Sequence, residues 1–401
     1  MNILEPAFLE VAEKEIARIS QWFYKTPMLI SQARYDELQA VQQLLHRAMR
    51  FFVAHYDDCA SLLPLSPKGR RIVEIAACRP YRTGTYRPDF VIGQDKALRV
   101  CEIGCRFPLD GFFNAGVTEL IAHRLAAGLG VDGPPSRYRR FLDHLTAYFD
   151  PFERVCALKS PADRPMDLRL YTQIFAQAGI PCTVHTPAEI AAQPDLLSGA
   201  AVIDEFNQMD LETLDDAVIE KLAAANSLND LRTKFLIHDK RFLSVLANRA
   251  FLADFLSEEE STFLTRHVIP TYTRDQNPEL WAQAEDDQEG WLLKPHLLGK
   301  SAGILAGCVT EGERWQDAFQ SAEIGKMVLQ PFIRQKQFVA PLDGRMYQDY
   351  VVGTFLCFED EFLGPGRFRA SSFPVTNQGD DRKVAPFVVE QPFPFKSPFV
   401  L

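Results

Sequence analysis

The stretch Arg87-Pro-Asp-Phe-Val-Ile-Gly-Gln-Asp-Lys-Ala-Leu-Arg-Val-Cys-Glu-Ile-Gly104 decides how the fold is read. Apolar residues alternate on both sides of a polar Gly93–Lys96 turn, which is the pattern of a β-hairpin. Asp89 opens one strand and Glu102 closes the other, so antiparallel pairing sets two carboxylates side by side. Two such groups repel unless a cation compensates. A small set of oxygen ligands suits Mg²⁺, which keeps some waters and shares ligands with substrate phosphates. Arg87, two residues before Asp89, lies on the same strand face and can neutralise charge on a phosphoryl group. On spacing alone, a solvated hairpin with ordinary end-of-strand ion pairs competes with this reading.

Upstream, residues 35–53 carry apolar positions at helical spacing without Pro or Gly. The first 60 residues are therefore expected to be helical scaffold. Residues 70–120 mix short strand-like runs with turn signals, and a helix is expected from about Ala115. Downstream, RVCALK (154–159), PCTVHT (181–186) and AAVIDEF (200–206) read as short strands. Helices over 167–179, closed by Gly179, and over 211–226 separate or follow them, which implies a parallel sheet. No GxGxxG follows the first of these strands, so a dinucleotide site is not expected there. Residues 229–260 read as helical. From Trp291 the chain becomes strand-rich, and the Pro- and Phe-rich tail after 386 reads as an extended strap packed on the body.

Three later segments carry candidate chemistry. Lys294 ends a strand-like WLLKP, and a loop of Gly299, Lys300, Ser301, Ala302 and Gly303 leads into the next strand. Small residues let backbone N–H groups approach phosphate oxygens, and a lysine supplies a point charge. No Walker sequence is present. MVLQPFI (327–333) is an apolar strand with one amide, Gln330, beside Phe332, which suits a nucleobase pocket. Arg367 and Arg369 alternate on a further strand, where two arginines on one face suit an anionic group. Each segment alone is equally readable as plain structure.

The chain has 401 residues with 43 Lys and Arg against 53 Asp and Glu, a net charge of −10. That balance speaks against bulk nucleic-acid binding, which needs clustered basic residues. No apolar run reaches membrane-spanning length and the acidic N-terminus does not resemble a secretory signal, so a cytoplasmic protein without membrane contact is expected. The eight cysteines are scattered, and Cys101 and Cys105 alone sit close; they are read as buried thiols, not as a disulfide or zinc framework.

Taken together and in this order, the segments resemble the ATP-grasp ligases, in particular the branch of glutathionylspermidine synthetase and eukaryotic glutathione synthetase. The resembling stretches are Arg87-Pro-Asp89, Cys101-Glu102-Ile103-Gly104, Asp239-Lys240, Leu293-Lys294-Pro through Gly303-Ile304, Val328 to Phe332, and Phe368-Arg369. The resemblance implies a mixed α/β (α+β) ATP-grasp fold with N-terminal helices over 1–69. It places a hairpin and helices carrying the metal carboxylates over 70–150, a Rossmann-like parallel-sheet domain over 151–226, and the ATP-grasp lobes over 227–401. It implies ATP and Mg²⁺ as cofactors, Asp89 and Glu102 as metal ligands, and Arg87 and Arg369 as catalytic residues. Lys240 and Lys294 become the ATP lysines, with Lys234 as the alternative register for the first. Gly299 to Gly303 become the phosphate loop and Gln330 to Phe332 the adenine hinge. Gly104 stands where the family pattern has an amide ligand, which puts a second metal in doubt. The implied activity is amide formation between a small acid and an amine through an acyl phosphate, with Arg79, Arg82 and Arg106 as candidates for the acid. A small-molecule kinase on this scaffold and a nucleotide-binding protein without ligase activity are the alternatives. The relatives also imply a homodimer.

Overall fold

The computed structural model describes residues 3–131, 137–150, 152–163, 166–376 and 379–401. Helix α1 (Leu4–Ile19) buries Leu4, Phe8, Val11, Ala12 and Ile16 along one side. Strand β1 (Met28–Ser31) leads into α2 (Gln32–Ala54), whose N-terminus is capped by the Ser31 hydroxyl accepting from the Arg34 N–H. A single turn, α3 (Tyr56–Cys59), precedes α4 (Pro67–Ala76). The first part of the stretch 70–120, expected to mix strand-like runs with turns, is thus helical. Ser66 caps this segment and Pro67 starts it, and Ile72, Val73, Ile75 and Ala76 share its buried side.

The hairpin forms as its sequence requires. Strands β2 (Thr85–Ile92) and β3 (Leu98–Gly104) pair antiparallel with Asp89 opposite Glu102. A register shift between Asp89 and Phe90 bends the ladder at that point. Helix α5 (Asp110–Gly128) begins at Asp110, not at Ala115. Gly111 and Asn114 are poor helix formers, but burial of Phe112 and Phe113 in the core overrides propensity.

After α6 (Tyr138–Phe149) come β4 (Val155–Leu158), α7 (Met166–Gln177), β5 (Cys182–His185), β6 (Ala201–Asp204) and β7 (Asn226–Ser227). These four strands form a parallel sheet in the order β5-β4-β6-β7, the Rossmann-like unit expected. Gly179, at φ +72°, follows the end of α7 as foreseen. The single helix expected over 211–226 is two, Gln208–Glu212 and Asp216–Ala224, because Asp215 caps a new helix by accepting from the Val218 N–H.

The rest is built on strands. β8 (Trp291–Pro295), β9 (Leu305–Ala306) and β10 (Met327–Pro331) form an antiparallel sheet ordered β10-β8-β9. β11 (Gln337–Leu342), the long β12 (Arg345–Phe358), β13 (Glu361–Pro365), β14 (Phe368–Ser371) and β15 (Arg382–Val384) join β2 and β3 in a seven-stranded antiparallel sheet. β2 pairs directly with β12, so a hairpin from the first quarter of the chain is completed by its last quarter. Strand β16 (Pro386–Val389) pairs parallel with β1, and Phe387, Phe399 and Leu401 are buried, so the tail is the packed strap its composition predicts. The expected boundary at 69–70 falls inside α4.

Candidate active site

Two adjoining cavities meet at the Asp89–Glu102 pair. The larger, about 330 Å³, is lined by Arg87, Asp89, Glu102, Arg369, His238 and the Gly299–Lys300 end of the loop, among others. The smaller, about 70 Å³, is lined by Lys294, Gln330, Phe332, Ser301, Ile304 and Val375, and it too touches Asp89, Glu102 and Arg369. The loop after β8 therefore stands between the two.

The geometry at the carboxylates follows from strand pairing. Asp89 is 2 % exposed, and its Oδ2 accepts from Arg369 Nη2 on β14. Its Oδ1 is buried and, among the described residues, accepts no hydrogen bond, with Arg87 Nε 3.5 Å away. Glu102 faces Lys240 Nζ at 3.7 Å. Burial alone would raise the Glu102 carboxyl, but Lys240, Lys294, Arg369 and Arg87 outweigh it and hold the carboxyl at about 2. The same two carboxylates, set against burial, raise Arg369 above its usual range. Burial, followed by Lys240 and Arg106, lowers His238 to about 3, so it faces the cleft as a neutral ring.

Arg87 packs beside Gly104 at ordinary contact distances and would be crowded only by a Cβ on Gly111. A Cβ on Gly104 would lie 3.5 Å from the Arg87 carbonyl and 3.7 Å from Nη2, and one on Gly111 would lie 2.7 Å from Nη1. Gly111 at the start of α5 thus leaves the room that the guanidinium takes, whereas position 104 would accept a side chain. Asn114, on α5, lines the same cleft, and its side-chain oxygen accepts from Arg367 at 3.1 Å.

The lysines sort cleanly. Lys240 reaches the loop, donating to the Leu298 carbonyl, and its own N–H donates to the His296 carbonyl at 3.0 Å. Lys234 points the other way, into the parallel sheet, where it pairs with Asp204 at 2.6 Å. Lys294, 6 % exposed, donates to the Cys101 carbonyl at 3.4 Å. Gln330 donates to Thr271 Oγ1 at 2.8 Å, and Leu292, Ile304, Val375 and Phe332 form apolar walls nearby. In the loop, Lys300, Ser301 and Gly303 all have positive φ, and the Ala302 N–H donates to the Gly299 carbonyl at 3.1 Å. Ser301 Oγ donates to the Thr376 carbonyl at 2.8 Å, tying the loop to the segment before β15.

The three remaining arginines are not brought together with these. Arg79 donates to the Ala225 carbonyl and Arg82 to Glu359, both beside a separate depression under Asn229 and Asp230. They precede β2, and neither lines either of the two cavities that meet at Asp89 and Glu102. Arg106 is spent on the Glu205 carbonyl and on Asp163 in the parallel-sheet unit, with its guanidinium 4.7 Å from the Phe107 ring centre. Several cleft residues lay outside the sequence reading, among them His238, Asp381 and Lys383. Glu15, Arg18 and Trp22 come from or just after α1, and Arg169 from α7.

An antiparallel sheet carrying paired carboxylates, a second small sheet with a buried lysine and an amide, and a glycine-containing loop between them define the ATP-grasp fold of the glutathione synthetase-like type. The chain is similar to a glutathione synthetase-like effector from Globodera pallida, solved in its apo form, with a TM-score of 0.58 and 13% identity over 92% of this chain and 90% of that one. It is also similar to the ATP-grasp enzyme ankG of Aspergillus thermomutatus, 24% identical over 86% of this chain and 84% of the relative. Residues 41–236 match the AnkG N-terminal domain family, a stretch that contains Arg87, Asp89 and Glu102 and stops short of Lys240. The resemblance read from the sequence thus holds at the level of fold and branch. Among the described residues, no helix is long and apolar enough to cross a membrane.

Proposed function

We propose that the chain is an ATP-dependent carboxylate–amine ligase working through an acyl phosphate. The observation that carries this is the Asp89–Glu102 pair held opposite Arg87 and Arg369, next to Lys294 and Gln330. Two carboxylates in register, one with a buried oxygen that accepts no hydrogen bond, fit a divalent cation that takes its other ligands from water and phosphate. Mg²⁺ bound there would offset charge on the β- and γ-phosphates. Gly104 adds no third protein ligand, which fits a site shared with the nucleotide.

The chain's own residues account for the rest. Lys294 and Lys240 place cations along the phosphates, and Gln330 with its apolar neighbours suits the base. A free carboxylate does not react with an amine. Its oxygen attacks the γ-phosphorus, the bond to the β-phosphate oxygen breaks, and ADP leaves. The amine nitrogen then attacks the acyl carbon and inorganic phosphate leaves. Arg87 and Arg369 stand where both charged transition states would need donors. The 299–303 loop would close the site against water, which otherwise hydrolyses the acyl phosphate.

The test is ADP release from ATP and Mg²⁺ across a panel of small acids, with hydroxylamine as the amine. A hydroxamate formed in step with ADP supports a ligase. A stable phosphorylated product without hydroxamate would favour the kinase reading.

A further inference from the structure

Thr354, on β12, stands opposite Asp89 in the β2–β12 ladder, and Asp89 stands opposite Glu102 in the β2–β3 ladder. Directly opposed residues of an antiparallel pair project to the same face. Glu102, Asp89 and Thr354 therefore form one row across three adjacent strands. All three line the larger cavity, and Thr354 does not line the smaller one.

The Thr354 side chain is fixed in place, but its hydroxyl is unused. The residue is 6 % exposed, and its Oγ1 is buried. Among the described residues that line this cavity, Asp89 Oδ1 and Thr354 Oγ1 are the two buried side-chain oxygens without a hydrogen bond. They belong to residues opposed in the ladder, yet they do not bond each other. The backbone at Thr354 is held, since its carbonyl accepts from the Gly366 N–H at 2.8 Å. A Cβ on Gly366 would lie 3.2 Å from Thr354 Cγ2, so the methyl packs toward that glycine and sets the rotamer. A buried hydroxyl without a partner is costly, and its persistence calls for a water or an ion. The neighbouring orphan is a carboxylate oxygen already suited to a divalent cation. Mg²⁺ keeps several of its waters, and groups that hold such outer ligands tune the affinity. A hydroxyl oxygen is a neutral acceptor for one of these waters. β3 offers nothing of the kind at Gly104, whereas β12 approaches Asp89 from the side away from Glu102.

We propose that Thr354 Oγ1 accepts a hydrogen bond from a water on the divalent cation held at Asp89 and Glu102, which makes β12 a third strand of the cation site. The proposal deepens the ligase reading and rests on it for the cation itself. Thr354 is in this role a positioning residue: it acts on the cation through a water and sets how much Mg²⁺ the nucleotide needs.

The experiment is calorimetric titration of ADP into the full chain over a series of Mg²⁺ concentrations, for the wild type, Thr354→Val, Thr354→Ala and Thr354→Ser. Thr354→Val keeps the shape and removes the acceptor. It should raise the Mg²⁺ concentration for half-maximal ADP binding about tenfold or more. Saturating Mg²⁺ should restore its ADP affinity to near the wild-type value, which damage to the fold would not allow. Because the substitution removes an unpartnered buried hydroxyl, its ligand-free melting temperature should not fall. Thr354→Ala, which adds no bulk, should shift the Mg²⁺ requirement in the same way. Thr354→Ser, which keeps the acceptor, should stay close to the wild type. The proposal is overturned if Thr354→Val and Thr354→Ala keep the wild-type Mg²⁺ requirement, if Thr354→Ser loses it as they do, or if saturating Mg²⁺ restores nothing. A wild type whose ADP binding is indifferent to Mg²⁺ would strike the cation reading at Asp89 and Glu102, and this proposal with it.

Discussion

The two ends of the cleft are assembled in opposite ways. At the end that holds Asp89 and Glu102 the key groups sit on paired strands of short sequence span. Asp89 and Glu102 face one another across a hairpin, and Lys294 and Gln330 lie on adjacent strands β8 and β10. At the far end Arg18, Arg169, Arg367 and Lys383 come from α1, α7 and the β14–β15 region, joined only by tertiary packing. Local pairing writes the first end into the sequence pattern, whereas the second exists only once the chain is folded.

The first way to break this comparison is at the arginine between the two ends. Arg87→Met should lower kcat by about 10²–10³, as loss of one donor to a charged transition state does, and leave the melting temperature nearly unchanged. An equal fall in kcat/KM with KM steady would identify a transition-state contact.

Lys383 offers a contrast in protonation. Burial, partly offset by Asp381, lowers it to about 8, below its unfolded value near ~10.4. Between these values the unfolded chain holds more protons, so stability should rise with pH through the window, by at most roughly 3 kcal/mol. Chemical denaturation from pH 7.5 to 10.5 would show this slope in the wild type and a flatter one in Lys383→Met.

Arg18→Gln sharpens the separation of the ends. It removes one of the two charged partners of the buried Glu15 and should lower stability by about 1–3 kcal/mol in chemical denaturation, with ADP–Mg²⁺ affinity unmoved. A fall in ADP–Mg²⁺ affinity would show that the two ends do not act separately. The smallest effect is expected from Gly104→Asn. Its Cβ meets Arg87 at ordinary contact distances, so the fold should persist. The added amide should lower the Mg²⁺ concentration for half-maximal nucleotide binding by a few-fold.

Legibility in the sequence followed the same divide. The hairpin, the parallel sheet, the strand-rich character after Trp291 and the packed tail were readable because alternation and turn residues are local signals. Lys240 and Lys234 could not be told apart by spacing; the structure separates them through Glu102 and Asp204. Arg79 and Arg82 were misplaced because nothing in a linear pattern says that the segment before β2 turns away toward Asn229. Helix α1 read as scaffold, and eight buried positions bear that out, yet Glu15 among them organises the far wall. Charged residues on a helix look alike whether they face solvent or a cleft, so Arg18 and Arg169 carried no signal of their own.

The central claim is that the Asp89–Glu102 pair and Lys294 together bind a nucleotide through a divalent cation. Thermal unfolding with ADP, with and without Mg²⁺, on the wild type and Lys294→Ala tests it most directly. Ligand at 100 times its Kd should stabilise the wild type by about 2.7 kcal/mol. The account predicts that this gain requires Mg²⁺ and is lost in Lys294→Ala. A wild type that gains nothing from ADP with Mg²⁺, or a Lys294→Ala variant that gains as much, would contradict it.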